Sequence, residues 1–173
     1  MKNINIINNK YKSREKINKI KNIYDLSNNF NELLDHNKQK LLINKLFLGE
    51  DFIEKKIIIS ELKNKINSYK QQDIKKDIHD SDNLITLDNI IEKLLVSKLL
   101  CYYCNKNIYI IFDKVRDNNQ WTLDRINNYD EHTNSNTIIT CLRCNLQRRR
   151  KNSEKFLFTK QLESKQILIK KLD

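Results

Sequence analysis

The sequence predicts an α+β fold, with a helical N-terminal region joined to a small C-terminal unit of strands and helices gathered around cysteines. Three observations carry this. Apolar residues recur at helical spacing as far as Val96 and then lose that period. β-branched and aromatic runs follow, as in short strands. All four cysteines of the chain fall in this second half, as Cys101-x-x-Cys104 and Cys141-x-x-Cys144.

Taken in order, Leu33, Leu34, Leu41, Leu42, Leu46 and Phe47 predict an early helix. Ile58, Leu62, Ile66 and Tyr69, at i, i+4, i+8 and i+11, put a second apolar stripe on one helix face. Leu87, Ile90, Ile91, Leu94, Leu95 and Val96 make a third, with Thr86 placed to cap its start. Such stripes are core. With no proline to punctuate the chain, the boundary falls near Ser97, dividing it into a helical region over 1–97 and a cysteine-bearing unit over 98–173. His36 and His79 lie in the helical part, away from any cysteine, and read as ordinary surface or core histidines. Residues 108–112 and 121–126 read as strands, 127–135 as a polar loop, and 137–140 as a further strand. A helix is expected from Cys141 through Arg150 and another from Ser153 to about Leu172.

Two Cys-x-x-Cys pairs can hold one tetrahedral Zn²⁺ through four thiolates. A thioredoxin-like redox site needs one such pair beside a βαβ pattern, and no such pattern is legible. At 39% hydrophobic residues the chain can support a core, which argues against disorder. No stretch has the apolar length to span a bilayer, and the N-terminus lacks a signal-peptide pattern, so a soluble intracellular protein is expected, in cytoplasm, nucleus or virion.

The formal net charge is +11, but lysine and asparagine abound as in any chain coded by A- and T-rich codons. The arginines say more. Six of the seven lie between Arg116 and Arg150, and the segment from Cys141 onward carries ten Lys and Arg against three Asp and Glu. Positive charge concentrated on one element is either an electrostatic footprint for phosphate or a solvated helix face.

The run Leu123-Asp-Arg-Ile126, followed by His132, Asn136 and Cys141-Leu-Arg-Cys-Asn145, resembles the ββα-metal core of HNH nucleases. The likeness is to the four-cysteine, endonuclease VII-like type and to small zinc HNH-like proteins of large DNA viruses, and it covers roughly residues 99–150. The resemblance implies a treble-clef-like ββα unit with Cys101, Cys104, Cys141 and Cys144 on a structural zinc. It also implies that Asp124 and Asn145 offer oxygens to a catalytic Mg²⁺ or Mn²⁺, and that Asn136 braces the loop. The N-x8-N interval from Asn136 to Asn145 matches the family pattern.

One position departs from it. Where the family carries its general-base histidine this chain has Arg125, whose guanidinium stays protonated and can only bind phosphate or stabilise charge. His132 is the nearest substitute base, or else a loop prop. Asp124 is either a metal ligand or a residue in a capping or salt-bridge role, with Arg125 nearby. Arg148 and Arg149, three and four residues beyond Asn145, would share its helix face and meet the DNA backbone together with Arg143 and Arg150. Trp121, Tyr102, Tyr103 and Tyr109 are core residues or, alternatively, platforms for bases.

Three functions follow as expectations. The first is a metal-dependent HNH-type endonuclease hydrolysing DNA, branched or single-stranded forms included, with homodimers as in its relatives. The second is a zinc-dependent nucleic-acid-binding protein without hydrolysis, such as a viral transcription or processing factor. The third is a scaffold whose N-terminal helices bind a protein partner.

Overall fold

The protein is described here from a computed structural model over residues 30–80 and 82–169. The first 29 residues of the expected helical region, and the end of the helix expected to reach Leu172, lie outside the described residues.

A short helix α1 (Phe30–Leu33) leads into α2 (His36–Phe47), whose Asp35 N-cap accepts from the backbone N–H of Lys38 at 2.7 Å. The long α3 (Lys55–Lys75) buries Ile58, Leu62 and Tyr69, the stripe legible in the sequence. Helix α4 (Leu87–Val96) starts at Thr86 in a reciprocal capping box with Asn89 and ends at Ser97. Strands β1 (Trp121–Arg125) and β2 (Thr137–Cys141) pair antiparallel, Trp121 opposite Cys141 and Arg125 opposite Thr137. Helix α5 (Leu142–Arg148) follows β2 without a linker and packs on both strands, and α6 (Ser153–Ile169) continues from it. No helix among the described residues is long and apolar enough to cross a membrane.

Every residue of β1 is buried, so the strand is covered on both faces. Tyr69 of α3 accepts the Leu123 N–H at 2.9 Å, and the Lys65 ammonium donates to Gln120 Oε1 at 3.1 Å and to the Trp121 carbonyl while lying 4.7 Å from the Trp121 ring centre. Burial pushes that lysine down to about 7. A single hydrophobic cluster runs from Phe30 and Leu42 through Leu62 and Leu94 to Trp121, Leu123 and Ile139. The helices and the cysteine unit thus share one core across the boundary at Ser97.

The segment 108–112 is not a strand. Ile108, Ile110, Ile111 and Phe112 are buried as their composition predicts, yet the segment makes only a single-residue bridge at Tyr109. Ile108 and Tyr109 bond to the backbone of Leu99, Asn119 and Trp121, but Ile110 and Ile111 take a side chain as their partner. Gln39, itself buried on α2, accepts from the N–H groups of Ile110 (2.7 Å) and Ile111 (3.2 Å) and donates to the carbonyls of Ile111 (2.9 Å) and Leu33 (2.6 Å). One amide substitutes for the neighbouring strand that the β-rich sequence lacks.

Candidate functional site

The hairpin Cys101–Cys104 and the β2–α5 junction bring Cys101, Cys104, Cys141 and Cys144 together, their sulfur atoms all within 4.8 Å of one another. A bridge at Leu100–Asn107 closes the first pair, and the second sits at the helix start, where Cys141 Sγ accepts the Cys144 N–H at 3.4 Å. The four are free thiols, and Cys104 and Cys141 stand 3.9 Å apart, far beyond a disulfide. Tetrahedral thiolates on zinc stand about 3.8 Å apart, from a Zn–S length of about 2.3 Å. The donor set therefore could hold a metal ion such as zinc. Its acid–base state fits too: hydrogen bonds from Cys101 and the second pair hold Cys104 well below the thiol range, while Cys101 and Cys104 push Cys144 and Cys141 far above it. Four sulfurs this close repel one another as thiolates and cannot all ionise without a cation among them.

Asp124, next to last in β1, is 4% exposed, and both its carboxylate oxygens accept hydrogen bonds. Arg148 donates from Nε to Oδ2 at 2.5 Å and from Nη2 to Oδ1 at 2.9 Å, and the Tyr103 hydroxyl donates to Oδ2 at 2.9 Å. Neither oxygen is turned to an open site where a second cation would sit. Arg148 is correspondingly displaced from its expected place against phosphate: it has no exposed surface, and its remaining donors reach the carbonyls of Arg125 and Lys151 and the Asn128 side chain. A buried carboxylate demands a counter-charge, and the helix position facing β1 supplies it. Asn145 also faces the strand, its amide donating to the Leu123 carbonyl at 3.0 Å and to Thr122 Oγ1 at 3.2 Å.

His132 is buried and tied to α3. Its Nδ1 lies 2.8 Å from both oxygens of Asp73, its backbone N–H donates to Asp73 Oδ2 at 2.9 Å, and its ring lies 4.7 Å from that of Tyr69. Burial lowers its basicity despite the adjacent carboxylate, so the neutral imidazole carries its proton on Nδ1. Arg125 completes the cluster, with Nη1 3.4 Å from Asp73 Oδ1 and donating to the Asp130 carbonyl at 2.9 Å. Asn136 holds the loop between the strands: its Oδ1 accepts the Asn127 N–H at 2.8 Å, and its Nδ2 donates to the carbonyls of Asn127 (3.0 Å) and Glu131 (2.9 Å).

Arg143, Arg149 and Arg150 are exposed. Arg149 adopts φ 53° where α5 ends, which turns the chain sharply and lets Arg149 and Arg150 line a cleft of about 540 Å³ with Lys76, Ile78, Asn128 and Tyr129. Partial burial, Arg125 and Arg150 all lower the pKa of Lys76, a sign of crowded positive charge. Of the aromatics, Trp121 and Tyr103 are core, while Tyr102 is half exposed.

Asp73 and Tyr129 are not among the residues that the motifs and stripes of the sequence single out. Asp73 was legible: it extends the stripe Leu62, Ile66, Tyr69 by four residues, and a carboxylate in line with an apolar face signals a buried ion pair. No family model matches the sequence, and no curated protein or solved structure matches it either.

Proposed function

We propose that this chain is a zinc-stabilised nucleic-acid-binding protein that contacts DNA through the end of α5. The cleft carries the reading: Lys76, Arg149 and Arg150 converge from two separate elements on one open site, whereas a merely solvated helix face would spread such charges apart. Zinc on the four cysteines fixes the β2–α5 junction from which those arginines project. Asp124, held by Arg148 and Tyr103, serves here as a structural anion.

Fluorescence anisotropy with a labelled oligonucleotide tests this. Each phosphate contact contributes about 0.9 to the slope of log affinity against log salt on duplex DNA, so replacing Arg149 and Arg150 by Ala should lower that slope by about 2. Affinity and slope unchanged in the double variant would sink the reading.

One observation favours metal-dependent endonuclease activity as a second reading. The Asp73–His132 pair has the form of an oriented base, a carboxylate fixing the imidazole through Nδ1. On this reading Arg148 must release Asp124 when Mg²⁺ or Mn²⁺ binds with Asn145. Plasmid nicking that requires either cation and disappears in both Asp124→Ala and His132→Ala would favour it, and intact plasmid throughout would dismiss it.

A further inference from the structure

We infer that the cleft takes an unpaired base, stacked on Tyr129, with its flanking phosphates on Arg149, Arg150 and Lys76, so that the protein favours single-stranded over fully paired DNA. This rests on the nucleic-acid-binding reading and narrows its substrate.

Tyr129 is 86% exposed, an unusual position for so much aromatic surface, yet the loop that carries it is tied down beside it. Its N–H donates to Asn127 Oδ1 at 3.1 Å, and Asn127 is anchored both to Asn136 (2.8 Å) and, through Nδ2, to Asp130 Oδ2 (2.6 Å). On the other side, Asn128 Oδ1 accepts from buried Arg148 at 3.2 Å, the same guanidinium that grips Asp124. The loop that presents the ring is therefore fixed before any ligand arrives, which lowers the ordering cost of binding. Every base has a π-face, so stacking reads the absence of pairing rather than sequence. In a duplex the base faces are already stacked on their neighbours, and only phosphates remain for the arginines.

Anisotropy on the zinc-loaded full chain tests this with three labelled DNAs: a thymidine 12-mer, an abasic strand of the same length and charge, and a blunt duplex. The thymidine strand should bind about tenfold more tightly than the abasic one, the scale of one stacked base. Tyr129→Ala should erase that difference by bringing the thymidine strand down to the abasic level, while Tyr129→Phe, which keeps the ring, should retain it. If Tyr129→Ala leaves the preference intact, or if wild type binds both strands equally while Arg149→Ala/Arg150→Ala weakens both, the base-stacking inference falls and DNA binding stands. Failure of wild type to bind any of the three DNAs removes the binding reading and this inference with it.

Discussion

The Arg148 guanidinium and the Asp124 carboxylate meet in a two-pronged ion pair, at 2.5 and 2.9 Å, closed off from solvent and joining the last turn of α5 to the next-to-last residue of β1. Removing one partner strands the other's charge. Arg148→Ala should cost about 3–5 kcal/mol, because Asp124 is left charged and buried. Urea unfolding measures this, and Asp124→Leu combined with Arg148→Met should recover most of the loss. A single Arg148→Ala variant as stable as wild type would show that the pair contributes nothing to the fold.

The burial of His132, which outweighs the opposing pull of the Asp73 carboxylate, makes stability depend on pH. Folding lowers the imidazole pKa from 6.5, so between that value and the lower folded one the unfolded chain binds more protons. Stability from this residue is therefore complete above 6.5, is lost as pH falls toward the folded pKa, and levels off below it. Urea midpoints collected from pH 8 down to pH 5 should decline, and His132→Gln should flatten the part of that decline near pH 6. An identical profile in the variant would exclude His132 as its source.

Gln39 is the unusual strut of the helical half. Gln39→Leu keeps the volume but leaves the N–H groups of Ile110 and Ile111 and two carbonyls without partners. Each stranded group costs about 1–3 kcal/mol. Hydrogen exchange at Ile110 and Ile111 should accelerate in this variant even at temperatures where the rest of the fold holds. Unchanged protection there would mean that water replaces the amide.

A zinc ion held on the four-cysteine cluster would tie metal binding to folding. Structural zinc contributes folding free energy directly, so a chelator or Cys141→Ser should unfold the hairpin at Cys101–Cys104 and the β2–α5 junction together. Zinc content by mass spectrometry and the loss of near-ultraviolet circular dichroism from Trp121 should change in parallel. A metal-free protein with an unaltered melting curve would refute the assignment.

Much of this architecture was legible in the residues themselves. Helical periodicity located Ile58, Leu62 and Tyr69 on the buried face of α3, Thr86 marked a cap, and the cysteine spacing marked the cluster, because each depends on short-range geometry. Residues 108–112 look like a strand because burial and β-propensity go together, yet the pairing stops at Tyr109 and Gln39, some 70 residues earlier, serves Ile110 and Ile111 instead. Arg148 was read as a surface cation for the same reason. Helix spacing shows which residues share a face, but the partner opposite that face, here Asp124, comes from tertiary packing.

The Tyr69–Leu123 and Asp73–His132 bonds have a bearing on how this chain can be dissected. A fragment starting at residue 98 would carry every cysteine, both strands and all the clustered arginines, and would look self-sufficient by motif. It would also expose the flank of β1 that α3 covers, and would leave His132 and Arg125 without the anion that orders them. The smallest piece that keeps its shape must therefore include α3, and the helical half is the template against which the cysteine-bound hairpin is moulded.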